Sequence, residues 1–357
     1  MNGVLVCAGE AKSKNIGDYI QSVAQEQFFS HTDCFVEREH LNTFKAKEKV
    51  NVIMNAWFMW HPENFPPSKI INPYFISFHV VPGIADKLLT AKNIEYFKKY
   101  EPIGTRDLGT KDLLEKNGIK CYFSGCLTLT LGLKYKSKDK NDLVYFVDPY
   151  YELGNGEKNR IIRLISSVFH LVRHFSSVLN LSKNFVIEEK GALSKISRKL
   201  DFYLRCASFY HSYSKAFDDD ILFNAIYITH NVDQKLFNGN EAKMNYAKML
   251  IKKYSKAKLV ITSRIHCALP CLAIETPVIF VNSNNLNQGK TRSGGRFGGL
   301  IELLHTVKWS KSGVDITPLG LHKKKITRDF QLKNKTDYIK IKDSLIENVN
   351  NFIKRNE

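Results

Sequence analysis

Arg264 and His266 stand two residues apart in the stretch AKLVITSRIHCALPCLAIETPVIFV at 257 to 281. A guanidinium grips a phosphate or carboxylate through two parallel hydrogen bonds. An imidazole is the side chain whose ordinary pKa lies nearest neutral pH, so the pair offers anion binding and proton transfer within one turn. Asp18, in NIGDYIQS at 15 to 22, supplies a carboxylate able to accept a proton, and Arg106, followed by Asp107, supplies a second cation. The segment 282 to 299 brings five glycines with Lys290, Arg292 and Arg296. Gly289-Lys290-Thr291 matches the ending of a P-loop, but Asn284 stands where the first glycine of GxxxxGK(S/T) belongs, and the segment is expected to form a mobile cationic wall that closes on a phosphate. Each group also has a plainer explanation: Arg264 as a local salt bridge, His266 as a hydrogen-bonded structural histidine, Asp18 as a helix cap and Arg106 as the partner of Asp107. His266, Cys267 and Cys271 lack CxxC or HxxxH spacing, and no metal site is expected.

These residues recur at one kind of address. Leu259 to Thr262 is a β-branched run of strand length, Ser263 and Arg264 make a turn, and Ile265 to Ile274 has helical spacing of apolar residues. Pro277 then opens a second buried run, Val278 to Val281. The result is a βαβ unit whose helix N-terminus points at the carboxyl edge of a parallel sheet, where unpaired N–H groups and the helix dipole favour an anion. Pro270 is expected to kink that helix. Asp18 follows a first strand, Val4 to Ala8, at the start of a helix over Tyr19 to Phe29. Arg106 ends a strand over Pro102 to Arg106, and His230 follows Ile226 to Thr229. Further strands are expected at Val50 to Asn55, Tyr74 to Val80, Lys120 to Phe123 and Leu143 to Val147. Helices are expected at Lys92 to Tyr100, Lys111 to Asn117, Arg160 to Leu181 and Asn240 to Tyr254, with another in the tail from Asn334 to Lys354. Alternating strands and helices give an α/β class with parallel sheets. The polar, basic LKYKSKDKND near 134 to 142 reads as a linker between two domains. The loop AWFMWHPENFPPS at 56 to 68, with Trp57, offers a sugar-stacking surface or a satellite core.

The chain of 357 residues has ordinary globular composition, 43% hydrophobic and 25% charged, and a net charge of +18. Such a balance attracts phosphates, but the basic residues are scattered and accompany no nucleic-acid motif, so no nucleic acid is expected as partner. No apolar run reaches the length of a membrane span, and the start has no signal-peptide pattern. A cytoplasmic protein with seven reduced cysteines is the expectation. Arg160 to Leu181 reads as a basic amphipathic helix that packs on its own domain or lies on an anionic membrane surface.

NIGDYIQS, IGTRDLGTKDLLEKNGI at 103 to 119 and the stretch 257 to 281 with its SRIH core together resemble the polysaccharide pyruvyl transferase family, with lesser similarity in INPYFISFHV at 71 to 80 and GRFGG at 295 to 299. The likeness spans most of the chain except about 150 to 215. It implies two Rossmann-like domains facing a cleft, GT-B-like: 1–135 on the acceptor side, and 136–333 on the donor side with a helical insertion at about 150–215. A helix within 334–357 would then be able to cross back to the first domain. It also implies transfer of pyruvate from phosphoenolpyruvate to two hydroxyls of a sugar in a capsule, exopolysaccharide or lipid-linked precursor, without a cofactor; the basic amphipathic helix adds the expectation of a lipid-linked acceptor met at the cytoplasmic face of a membrane. On that basis Arg264, His266, Arg106, Lys290 and Arg296 would hold phosphoenolpyruvate. His266 would be the acid and Asp18 the base, with Arg106 at the donor. Asp18, Trp57, His79 and His230 would line the acceptor side. Two rival readings are a GT-B glycosyltransferase using a nucleotide sugar and a non-catalytic basic protein binding saccharide-phosphate or membrane.

Overall fold

Period-two burial along the strands sets the layering. The computed structural model describes residues 1–7, 14–153, 160–186, 195–233, 236–283, 297–322 and 324–356. In β1 (Asn2–Val6), Val4 and Val6 enter one core while Leu5 enters another. The chain continues through α1 (Gly17–Glu26), β2 (Cys34–Glu37), β3 (Val50–Ile53), β4 (Trp57–Phe58), β5 (Ile71–Tyr74) and β6 (His79–Val80). After α2 (Ala85–Leu88) and α3 (Ala91–Lys98) come β7 (Ile103–Thr105), α4 (Leu108–Lys116), β8 (Cys121–Phe123) and α5 (Gly132–Tyr135). The first sheet has the order β2-β1-β3-β5, all parallel, and β7 pairs with β8 beside it.

The second sheet is built from β9 (Val144–Val147), β10 (Ile226–Ile228), β11 (Leu259–Thr262), β12 (Val278–Ser283), β13 (His305–Ser310) and β14 (Gly313–Asp315). Its order is β10-β9-β11-β12-β13-β14, parallel except for the antiparallel edge strand β14. Helices α6 (Arg160–Arg173), α7 (Phe175–Ser182), α8 (Lys195–Tyr213) and α9 (Asp219–Asn224) lie between β9 and β10. α10 (Gly239–Lys256) leads into β11, α11 (Ile265–Ala273) joins β11 to β12, and α12 (Tyr338–Lys354) ends the chain.

A central core joins the two sheets. Val4 and Val6 of the first share it with Tyr145, Val147, Val260, Val278 and Phe280 of the second, through α1, α10, α11 and α12. The far faces have cores of their own, with Val52 and Met54 in one and Phe146, Ile261 and Ile279 in the other. Backbone bonds stitch the two halves together beside the central core: Ile16 N–H donates to the His230 carbonyl at 2.8 Å, and Val232 N–H to that of Lys14 at 2.9 Å. The Tyr19 hydroxyl donates to Asn240 Oδ1 at 2.7 Å. At the end of α12, Phe352 stacks on Tyr74 of the first sheet with centroids 4.8 Å apart.

Two expected elements come out differently. Tyr74 to Val80 is not one strand: Ser77 sits at φ 55°, which no strand accommodates, so the run divides into β5 and β6 and the latter pairs with β4 instead. Arg160 to Leu181 is not one helix, because His174 at φ −121°, ψ 31° separates α6 from α7. Pro270, by contrast, is carried inside α11, which continues to Ala273 with all nine residues buried.

Close packing predicts one large stability effect. A Cβ added to Gly132 would stand 2.2 Å from the Ala273 carbonyl oxygen, a backbone atom at the end of α11. Gly132→Ala should therefore cost roughly 2–4 kcal/mol, read as a lower urea midpoint at unchanged slope.

Candidate functional site

The second sheet contributes the cation and the histidine. Its first five strands have the order 2-1-3-4-5, so the connections leave in opposite directions on either side of β9 and β11, and the crevice lies at their carboxyl ends. Asp148 follows β9 there, and Ser263 and Arg264 follow β11. Arg264 Nε lies 2.9 Å from Asp148 Oδ2. That oxygen also accepts the His230 N–H at 2.8 Å, and the carboxylate is held at φ 41°, in the left-handed region. A non-glycine residue kept there and tied on two sides has been positioned at a cost, which marks the spot as one where geometry matters. Ser263 Oγ donates to the Val281 carbonyl at 2.6 Å and accepts the Tyr150 N–H at 2.8 Å, so the turn is locked to both neighbouring strands. Asp148 engages only Nε of Arg264, whose side chain is 31% exposed. Its two terminal nitrogens make no hydrogen bond among the described residues.

Arg264 is the N-cap residue of α11, and its side chain does not cap the helix. His266 follows as the second helical residue, 8% exposed. The start of α1 meets it from the first sheet: a Cβ on Gly17 would come within 3.2 Å of His266 Cβ. Glycine at 17 therefore lets two helix N-termini converge, and Asp18 is the next residue of α1. Asp18 is not the cap; Ile16 takes that position without a side-chain bond, and Asp18 lies in the first turn.

Arg106 reaches the same place from the end of β7. Its backbone N–H donates to Phe78, and its guanidinium, 1% exposed, lies 3.2 Å from Asp107 Oδ2 through both Nε and Nη2. The Nε contact is an aligned hydrogen bond; Nη2 is close enough for ion pairing but makes no aligned bond. Asp107 is also bound by His79 Nδ1 at 2.7 Å and accepts the Thr110 N–H at 2.9 Å, capping α4. Burial alone would raise the Asp107 carboxyl, but His79 and Arg106 beside it, with the bonds they make, hold it below the ordinary carboxylate value.

A buried pair that the sequence analysis missed braces the aromatic loop. Arg38 Nε binds Glu39 Oε1 at 2.9 Å, its guanidinium lies 4.8 Å from the centre of the Trp57 ring, and Glu39 Oε2 accepts the N–H groups of Trp60 and His61. Trp57 and Trp60 are consequently held together, 4.7 Å apart, with Trp60 56% exposed.

One cavity of about 260 Å³ gathers these groups. Asp18, Trp57, Trp60 and Arg106 come from the first sheet's side, and His230, Ser263, Arg264, Ile265 and His266 from the second; Asn15 and Phe297 also line it. A sequence model for polysaccharide pyruvyl transferases matches residues 15–285. The chain belongs to the polysaccharide pyruvyl transferase family. Comparison with curated proteins and with solved structures gives no match. The pyruvyl transferase match includes Asp18, Trp57, Arg106, Asp148, His230, Arg264 and His266, and it stops short of Lys290 and Arg296. Those two, with Arg292, lie outside the described residues.

Two of the expected acceptor residues stand differently in this chain. His79 is not among the residues lining the cavity; 2% exposed, it is tied to Asp107 and Thr110. His230 does line the cavity, but its side chain is fully buried, with Nε2 2.9 Å from the Tyr254 hydroxyl and its backbone holding Asp148. Asp148 was missed although it directly follows VYFV, a strand-end position like that of Arg264. Among the described residues no three His, Cys, Asp or Glu side chains gather as a metal site, and all seven cysteines are free.

Burial, only partly offset by Asp148, lowers the His230 pKa from 6.5 to about 4. Between those values the unfolded chain binds a proton that the folded chain does not, so stability is lost as pH falls from 6.5 towards 4. The loss from this group should be on the order of 2–3 kcal/mol. Urea unfolding at a series of pH values should show that slope in the wild type and a flatter one in His230→Asn; equal slopes would assign the acid sensitivity elsewhere.

Proposed function

We propose that this pyruvyl transferase moves pyruvate from phosphoenolpyruvate to two hydroxyls of one sugar, forming a ketal on a cell-surface polysaccharide or its lipid-linked precursor. The observation that carries this reading is the single cavity in which Arg264 and His266, at the second sheet's crevice, meet Asp18 and Arg106 from the first. The α/β halves form a GT-B-like pair under this proposal, with the donor on the second half and the acceptor on the first.

The phosphate of the donor lies at the α11 N-terminus against the terminal nitrogens of Arg264, where the helix dipole and a charge-assisted fork both favour an anion. Lys290 and Arg296 are assigned as further cations for the same group. Arg106, held by Asp107, faces the other end of the donor and pairs with its carboxylate. His266 gives a proton to the methylene carbon, C3, which makes C2 electrophilic. Asp18 takes the proton of the first sugar hydroxyl as its oxygen bonds to C2. Inorganic phosphate then departs, the second hydroxyl closes the ketal and its proton leaves with the phosphate, while the proton held on Asp18 passes through solvent back to His266. The reaction as proposed uses no cofactor, because the arginines and helix N-terminus stabilise the charge that develops on the leaving group. Trp57 and Trp60 give the sugar a stacking wall braced by Arg38 and Glu39.

A nucleotide sugar is the rival donor, since the same helix N-terminus and arginine fork suit a diphosphate. Incubation with an acceptor extract and either phosphoenolpyruvate or a mixture of nucleotide sugars separates the two. Release of inorganic phosphate with phosphoenolpyruvate alone is expected; free nucleotide without phosphate release would establish a glycosyltransferase instead.

A further inference from the structure

Helix α6 presents an apolar stripe to solvent. Ile165, Val168, Phe169 and Val172, spaced to share one helix face, lie in solvent, with Val172 at 74%, Ile165 at 66% and Phe169 at 60% exposure. The inward side carries Leu171, half-buried against the second sheet's far-face core, together with Ser167, fully buried with no hydrogen bond to its hydroxyl, and His170, whose ring stacks on His211 of α8 at 3.6 Å. After the break at His174 the exposed strip continues on α7 through Phe175 and Leu179. A helix free to choose would bury its apolar stripe in the protein. Six large apolar side chains left together in water form a patch that calls for a covering surface.

The charges around the strip identify the cover. From 160 to 186 the chain contains Arg160, Arg163, Arg173 and Lys183 and no Asp or Glu. Arg173 and Lys183 are exposed. A second copy seated on this surface would bring like charges together, whereas an anionic lipid surface would neutralise them. Among the described residues no helix is long and apolar enough to cross a membrane, so the contact lies along the surface. We propose that α6 and α7 are a membrane-docking element that beds this apolar strip into the headgroup region of an anionic bilayer. The element is continuous with the cavity's framework: Tyr150, which donates to Ser263 Oγ, begins the connection from β9 to α6, and Arg205 of α8 binds the Leu153 carbonyl at 3.0 Å.

The proposal is independent of the proposed reaction, and its test reads no catalysis. Purified full-length protein is sedimented with phosphatidylcholine vesicles, with or without phosphatidylglycerol. Pelleting with the anionic vesicles, weakened by salt, is expected. A variant combining Ile165→Ser, Phe169→Ser and Val172→Ser should partition at least about tenfold less, and Arg173→Gln with Lys183→Gln should lose roughly fivefold per charge. The replaced side chains are exposed, and circular dichroism checks that each variant is folded. No pelleting with either vesicle, or equal pelleting with both, would overturn the proposal. So would a wild-type dimer in light scattering that the triple variant loses, which would assign the strip to a second copy.

Discussion

Replacing His266 with glutamine should lower turnover by about 10²- to 10⁴-fold while leaving phosphoenolpyruvate affinity within about threefold. An amide retains a hydrogen bond to the donor but has no proton to deliver to C3. The site makes this substitution informative, because His266 is packed at the meeting of α1 and α11, 8% exposed and hard against Gly17, and glutamine has a similar reach. Pre-steady-state phosphate release measures the chemical step, and calorimetry measures donor binding. Near-normal turnover in the variant would reduce His266 to a ligand or a structural residue and move the acid role to Asp18 or to a cavity water.

Arg264→Gln should show the opposite division. Its contact with the donor phosphate exists before and during the reaction, so its loss should weaken phosphoenolpyruvate binding roughly 10- to 100-fold, with a smaller fall in turnover at saturating donor. Asp148 remains bound to the His230 N–H when the guanidinium is removed, so the β9 end should keep its shape. Unchanged calorimetric affinity would mean that Arg264 serves Asp148 alone and that another cation holds the phosphate.

The organising βαβ unit was legible because everything that makes it is local. Leu259 to Thr262 is uniformly apolar, Arg264 and His266 fall on one turn, and Val278 to Val281 repeats the strand pattern. β2 was not seen, since Cys34 to Glu37 offers only two large apolar residues and is recognisable as a strand only beside β1. His79 stands beside Asp107 and Thr110, away from the cavity lining, for a related reason: the chain bends at Ser77 after β5, and nothing in the local pattern announces a residue at positive φ. Asp148, Arg38 and Glu39 escaped because their importance lies in pairings at long range. Arg264 meets Asp148 across 116 residues, and Arg38 meets Trp57 only once the segments that follow β2 and β3 have folded together. The apolar periodicity of 160 to 181 was visible, but which way that face points depends on Ser167 and His170 packing against α8. Helical spacing shows that a stripe exists and leaves its partner open.

The central claim is best tested by mass spectrometry of an acceptor glycan pool after incubation with phosphoenolpyruvate and the wild-type protein. The account predicts a species heavier by one pyruvyl ketal, formed with one inorganic phosphate per ketal. A protein carrying both Arg264→Gln and His266→Gln should yield no such species on the same timescale. Glycans unchanged by phosphoenolpyruvate yet extended by a whole sugar when a nucleotide sugar is supplied would contradict it.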